Sequence, residues 1–136
     1  MANTLRLTIV TPEAEVFSGE VDMVTLPGVE GELGIFPMHT PLMTQIEPGE
    51  LVLRRGTEET HMAVGEGFAE ITGDHVTVIT DMAIEAADID EARVEEARRR
   101  AEARLKEKLS AEDAALVQAT LARTAAQLKV KRSRKG

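Results

Sequence analysis

Ile89, Asp90 and Arg93 are the residues whose types and spacing most suggest chemistry. Asp90 and Arg93 are three positions apart, which puts them on one face of a helix. They can form a local ion pair that stabilises the helix by roughly a few tenths of a kcal/mol. They can also begin a small nucleotide site, in which the carboxylate accepts from adenine or ribose and arginines hold phosphates. The candidates for those arginines are Arg98, Arg99 and Arg100 on the first predicted helix and Arg123 on the second. Spacing alone favours the ion pair.

A second segment, residues 28–42, has the composition of a docking surface. Its glycines permit close approaches and its prolines stiffen the chain. Its only charges are two acids, Glu30 and Glu32, which would repel phosphate. Its apolar side chains are Leu33, Ile35, Phe36, Met38 and Leu42. Two interpretations stay open, a rigid docking loop and a stiff crossover whose apolar residues fill the core.

The composition argues against several other kinds of site. The chain has no cysteine, tryptophan or tyrosine, so it has no thiolate metal ligand and few aromatic anchors. Its three histidines are far apart in sequence, and no GxSxG motif marks a nucleophile. Nucleic-acid binding has only a basic tail in its favour, without stacking aromatics. We therefore expect no catalytic residue, no metal, no required cofactor and no nucleic-acid partner.

The start of the chain lacks a basic region followed by an apolar run, which argues against a secretory signal. No apolar stretch approaches the roughly 18 residues of a membrane-spanning helix. We expect a soluble protein made in the cytoplasm.

The net charge of −8 conceals a division into two domains. Residues 1–87 carry three arginines against fifteen acids, whereas residues 88–136 carry thirteen arginines and lysines against nine acids. Such asymmetry suggests two domains with different partners. In the first, apolar and polar residues alternate with a period of two between turn signals, as Leu5, Leu7 and Ile9 do. Many short strands of this kind predict an antiparallel β-sandwich or barrel.

The second domain has the composition of helices. Asp88 is expected to cap the first helix, with Glu91 three residues later, and Ser110 to cap the second, with Asp113 in the matching position. The short connection predicts an antiparallel helical hairpin over residues 88–130, followed by a loose basic end. The fold class is therefore α+β, an N-terminal antiparallel β-sandwich followed by a C-terminal antiparallel α-helical hairpin. Alanine-rich stripes predict a weak seam that lets the hairpin detach.

Three motifs make the whole chain resemble the epsilon subunit of bacterial F-type ATP synthases. The first is Phe17-Ser18-Gly19 in the early strands. The second is Gly31-Glu32-Leu33-Gly34-Ile35 with Pro37, His39, Pro41 and Leu42. The third is the helix start at Ile89, Asp90 and Arg93, with Val94 where the family motif has alanine.

This resemblance implies a non-catalytic rotor subunit. Its sandwich would join the gamma subunit to the membrane ring of c subunits, on the cytoplasmic face of an energy-transducing membrane. The implied gamma and ring contacts are Glu32, Leu33, Gly34, Ile35, His39 and Leu42.

The resemblance also implies a mobile regulatory hairpin. Extended along gamma, it would inhibit ATP hydrolysis and bring basic residues to an acidic segment of the beta subunit; the candidates are Arg123, Lys129, Lys131 and Arg132. Folded, it binds ATP in some family members, and the candidates here are Ile89, Asp90, Arg93, Arg100 and Arg123. The alternatives are a free-standing β-sandwich that binds a small ligand and, less favoured by the composition, a small enzyme.

Overall fold

The computed structural model describes residues 4–133, in which ten strands precede two helices. The strands are β1 (Leu5–Val10), β2 (Glu15–Val21), β3 (Met23–Gly28), β4 (Gly31–Ile35), β5 (Leu42–Ile46), β6 (Gly49–Arg55), β7 (Glu58–Val64), β8 (Gly67–Thr72), β9 (His75–Thr80) and β10 (Ala83–Glu85). A 3-10 turn, Ala86–Asp88, leads to α1 (Glu91–Leu105) and α2 (Ala111–Ser133).

The strands form one hydrogen-bonded sheet that folds over on itself. Its order is β10-β7-β6-β3-β5-β8-β9-β1-β2, with β4 paired to β3. β3 joins β5 through the pair Gly28 and Ile46, and the sheet bends there into two facing halves. On the other side Arg55 of β6 lies over the ring of Phe17 of β2, 5.5 Å from its centroid. The first half therefore contains β3, β4, β6, β7 and β10, and the second contains β1, β2, β5, β8 and β9.

The core lies between these halves and follows the predicted alternation. Leu5, Leu7 and Ile9 of β1 are fully buried, as the period of two requires. Fully enclosed side chains also come from β2 to β9: Val21, Val24, Leu26, Ile35, Ile46, Leu51, Leu53, Met62, Val64, Ile71, Val76 and Val78. This core contains no residue of either helix, so the packing of the sandwich does not depend on the hairpin.

One pairing differs from the antiparallel prediction. β1 and β9 run parallel, with Arg6 beside His75 and Val10 beside Ile79. The remaining strand pairs within residues 4–133 are antiparallel. Parallel neighbours need a long connection, and here most of the sandwich lies between β1 and β9. Alternation of side chains looks the same in both arrangements, so the sequence could not reveal this pair.

The two helices form an antiparallel hairpin that lies on the outer face of the first half of the sheet. The last turn of α2 returns to the start of α1, where Arg132 meets Glu91. A small second apolar cluster joins the hairpin to the sandwich; its buried members are Ala63, Ala86, Ile89 and Val130. The main core and the hairpin seam are thus separate apolar units.

The prediction that Asp88 caps the first helix is wrong. Asp88 ends the 3-10 turn, and the next residue, Ile89, is extended and buried in the second cluster. Helical geometry can therefore begin only after Ile89, and Asp90 is the cap. The cap of α2 is confirmed, because the Asp113 backbone N–H donates to Ser110 Oγ over 3.0 Å. α2 continues to Ser133, past the predicted end at 130, and the last three residues lie outside the described part.

Candidate functional site

The start of α1 is built by a capping interaction rather than by the predicted ion pair. Asp90 Oδ1 accepts from the Arg93 backbone N–H at 3.2 Å, which satisfies one of the free donors at the helix end. Ile89 is buried beneath this turn. Within residues 4–133 the side chains of Asp90 and Arg93 form no ion pair, and both residues are exposed. The Arg93 guanidinium therefore faces solvent beside a carboxylate that is already engaged in the cap.

The other predicted nucleotide-binding arginines lie farther along the hairpin. Arg100 is seven positions beyond Arg93, about 10 Å along the helix axis, and it pairs weakly with Glu96 at 3.8 Å. Arg100 lines an open groove of about 340 Å³ between α1 and α2, with an apolar floor that includes Ala101 and Val117. The predicted residues thus follow one another along the hairpin instead of converging on one enclosed pocket.

Arg123 connects the hairpin to the sandwich. Its Nη1 lies 3.7 Å from Asp81 Oδ2, in the segment between β9 and β10. Asp81 can reach this position because residue 65 is glycine; a Cβ there would lie 1.8 Å from Asp81 Oδ1. Asp81 is a partner that the sequence analysis missed, since nothing in the spacing of 81 and 123 indicates that they meet. Arg123 therefore already faces a carboxylate in this conformation.

Arg132 makes two ionic contacts that join the two helices of the hairpin. Its Nε donates to Glu91 at 2.9 Å and its Nη2 donates to Glu95 at 2.8 Å, both on α1. Glu95 also accepts from Arg98 on its own helix. The hydrogen bond from Arg98, opposed by partial burial and reinforced by the one from Arg132, lowers the pKa of the Glu95 carboxyl. The bonds to Glu91 and then Glu95 raise the pKa of the Arg132 guanidinium.

The remaining predicted partner-binding cations differ in their surroundings. Lys131 Nζ donates to the Ala86 carbonyl oxygen over 3.0 Å, which ties α2 to the 3-10 turn. Lys129 is exposed. In the folded hairpin, the side chains of Arg123, Lys131 and Arg132 are thus held by groups of their own chain.

Segment 28–42 combines both of the interpretations left open by the sequence. It is not a continuous loop, because β4 occupies residues 31–35. Ile35 is fully buried in the core, so its side chain is not available to a partner and the predicted contact there is corrected. Glu32 and Gly34 are exposed, and Leu33 is half-buried against the core.

The loop that follows β4 is held in a fixed shape. Met38 has a φ of 67°, in the left-handed region that glycine adopts more readily. Its backbone N–H donates to Asp74 Oδ1 over 2.8 Å, which fastens the loop to the turn between β8 and β9. His39 Nδ1 lies 2.6 Å from the Thr40 carbonyl oxygen. The loop therefore presents the Met38 side chain, 79% exposed, on a constrained backbone.

An exposed apolar patch lies on the outer face of the second half of the sheet. Its side chains are Met43, Phe68 and Ile79, exposed by 65%, 54% and 57%. Phe68 and Ile79 are directly opposite each other on β8 and β9, and Met43 lies on the neighbouring β5. The sequence analysis missed this patch, although Phe68 and Ile79 are apolar at positions of their strands where the alternation predicts polar residues. Contiguous exposed apolar residues mark interaction sites.

The architecture belongs to the class of two-domain chains in which a β-sandwich carries a docked helical hairpin. The family model of the ATP synthase delta/epsilon chain β-sandwich domain matches residues 4–86, and that of the long α-helix domain matches residues 87–132. The chain therefore belongs to the family of ATP synthase epsilon chains.

Relatives in this family match along almost the whole chain. The ATP synthase epsilon chain of Dehalococcoides mccartyi is 47% identical over 132 residues, covering 96% of this chain and 94% of the relative. Those of Herminiimonas arsenicoxydans and Bordetella avium are each 47% identical, over 130 and 135 residues, covering 94% and 98% of this chain and 93% and 96% of theirs.

Two solved structures share the fold. A chain in the OSCP/F1/c-ring structure of the Euglena gracilis mitochondrial ATP synthase superposes with a TM-score of 0.77 at 21% identity, covering 93% of this chain and 79% of its own. A chain in the central stalk/c-ring structure of the Tetrahymena thermophila mitochondrial ATP synthase gives 0.60 at 12% identity, covering 97% and 96%. Neither described helix of the present chain is long and apolar enough to cross a membrane.

Replacing Asp90 by alanine should destabilise the start of α1 by about 1 kcal/mol, because the cap to the Arg93 N–H is lost. Amide exchange in the first turn of α1 should then be roughly fivefold faster. Asp90→Ser, which keeps a capping oxygen, should stay within a factor of two of the parent protein. Equal exchange in Asp90→Ala and the parent would contradict the capping role.

Proposed function

We propose that this chain is a non-catalytic subunit of the central stalk, which joins the gamma subunit to the ring of c subunits. The observation that carries the proposal is that this member of the family exposes an apolar sheet face on one side of the sandwich. Its hairpin is docked separately on the other side. Such a chain would lie at the cytoplasmic face of an energy-transducing membrane. It would be held there through the complex rather than by a membrane span.

The sandwich offers two surfaces for these partners. The patch of Met43, Phe68 and Ile79, continued by the fixed loop at Met38 and His39, is suited to the gamma subunit. The exposed strand β4, with Glu32 and Gly34 and the half-buried Leu33, is the proposed contact with the polar loops of the ring. Leu42, 38% exposed at the start of β5, points to the opposite face of the strand from Met43, and its proposed contact lies at the end of that strand rather than on the patch. Fifteen acids in residues 1–87 would favour basic partner loops.

The hairpin is proposed to inhibit ATP hydrolysis when it leaves the sandwich. Its apolar contact with the sandwich is small and separate from the main core, so detachment leaves the sandwich intact. Extended, α2 would bring Arg123, Lys129, Lys131 and Arg132 to an acidic segment of the beta subunit. Partners and ligands would then shift the population between two hairpin positions.

ATP is proposed as a regulatory ligand of the folded hairpin. The exposed Arg93 guanidinium and the groove beside Arg100 offer cations and an apolar surface about 10 Å apart, a span that a nucleotide can bridge. Asp90 would have to accept from the ligand as well as from the Arg93 N–H, which a carboxylate with two oxygens can do. Arg123 would exchange Asp81 for a phosphate.

Placing a charge in the apolar patch should weaken docking to gamma. Each of Phe68→Glu and Ile79→Glu removes roughly 1.5–3 kcal/mol of apolar burial, so affinity should fall at least about tenfold. The control is Leu116→Glu, an equally exposed apolar position on α2, which should bind as the parent does. Titration of each variant with isolated gamma measures this. Parent affinity in both patch variants, with a folded sandwich, would contradict this docking surface, and failure of the parent to bind gamma would favour a free-standing ligand-binding module.

Deleting residues 88–136 should leave a folded sandwich, because the main core contains no residue of the hairpin. In a reconstituted head complex the truncated chain should raise the rate of ATP hydrolysis relative to the full chain. Steady-state hydrolysis and a thermal unfolding scan measure the two effects. Unchanged hydrolysis with the truncated chain bound would show that the hairpin is not inhibitory.

Calorimetric titration of the isolated chain with MgATP tests the regulatory site. Saturable binding should be lost in Arg93→Ala and kept in Arg99→Ala, a neighbouring exposed arginine with only a 4.0 Å pair to Glu95. Absence of binding up to millimolar MgATP, or equal loss in both variants, would remove ATP from the proposal.

A further inference from the structure

At the open end of the hairpin one side chain makes the ionic contacts between the two helices. Arg132, in the last described turn of α2, splits its planar fork between two carboxylates on α1: Nε to Glu91 and Nη2 to Glu95. These glutamates are four positions apart, so they stand one above the other on the same face of the helix. Charge-assisted bonds of this kind, with both distances below 3 Å, are the stronger class of hydrogen bond.

The remaining packing between α1 and α2 decides how much the Arg132 contact matters. On α1 the one buried residue among those described is Ala101, whereas α2 buries Val117, Thr124, Ala126, Leu128 and Val130. Near the tip, the helices leave the groove beside Arg100 and Leu116 open. The short connection restrains the tip, so separation at the opposite end must break the Arg132 contacts as well as the packing of Ile89 and Val130.

We propose that Glu91 and Glu95 act as an internal acidic receptor for Arg132, which holds the hairpin closed and withholds this side chain from an acidic partner surface. The proposal rests on the proposed function, in which the extended hairpin brings its cations to an acidic segment of the beta subunit. That segment and the two glutamates then compete for the same guanidinium. A partner that presents two carboxylates one helical turn apart reproduces the internal receptor and can displace it.

The contact should respond to salt rather than to pH near neutrality. The pKa of the Glu95 carboxyl is lowered in the folded chain. The contribution of its ion pair to folding stability is therefore complete above the ordinary pKa of 4.5, and it is lost as the pH falls through the lower pKa of the folded chain. Between pH 6 and pH 8 this group stays ionised. Salt screens an exposed ion pair throughout that range.

A double-mutant cycle on the full chain tests the receptor. Glu95→Gln and Arg132→Gln should each speed amide exchange in the last two turns of α2 by roughly threefold to tenfold. The double variant should exchange no faster than the faster single variant, because both remove the same contact. Glu96→Gln is the matched control, an adjacent glutamate that pairs with Arg100 and not with α2. Arg98→Gln controls for the bond within α1 that Glu95→Gln also removes.

Exchange rates in Glu95→Gln and Arg132→Gln that equal those of the parent would overturn the receptor. So would rate increases that multiply in the double variant, since independent effects mean that the two residues do not act together. Raising NaCl from about 50 mM to 0.5 M should speed exchange in the parent and leave Arg132→Gln nearly unchanged.

A hydrolysis assay in the reconstituted head complex separates this proposal from the inhibitory function. Glu95→Gln should deepen inhibition because it leaves Arg132 held by Glu91 alone and easier to displace, whereas Arg132→Gln opens the hairpin without deepening inhibition. Coupled exchange with identical inhibition in all variants would support the receptor and count against the inhibitory role of the hairpin. Deeper inhibition in Arg132→Gln, equal to that in Glu95→Gln, would overturn the competition for Arg132.

Discussion

The packing of Ile89 and Val130 against Ala63 and Ala86 is the interaction on which the position of the hairpin depends. Burying the two branched side chains contributes about 1.5–3 kcal/mol each, and the alanines add less. The main core of the sandwich is far larger and shares no residue with this seam. A hairpin held by a few kcal/mol, beside a domain that does not need it, can change position while the sandwich stays folded.

The two outer faces of the folded sheet have opposite characters. The hairpin covers the face of β6 and β7, and the ion pair of Arg123 with Asp81 adds to the apolar seam. The face of β5, β8 and β9 instead exposes Met43, Phe68 and Ile79. One side is thus suited to a lasting apolar interface and the other to a reversible one. The proposed function, in which the subunit stays attached while its hairpin moves, requires this division.

Much of the fold follows from local patterns in the sequence. Alternation in β1 and the cap at Ser110 are read correctly, because each depends on residues close in sequence. The cap at Asp90 is missed, because burial of Ile89 in a tertiary cluster overrides an equally good local signal at Asp88. Strand β4 is hidden within a glycine-rich segment whose pattern indicates a loop. The partners of Arg123 and Arg132 come from long-range packing, about which spacing within a helix carries no information.

The most direct test of a hairpin with two positions is a distance measurement between its end and the sandwich. The chain has no native cysteine, so spin labels can be placed at Glu58→Cys on β7 and Ser133→Cys on α2. Pulsed electron–electron double resonance should show one short distance between the two labels in the isolated chain. In the assembled head complex without ATP, a second population with a longer distance should appear. The fraction of molecules in this population should fall when MgATP is added. A single distribution that is unchanged by assembly would contradict the account.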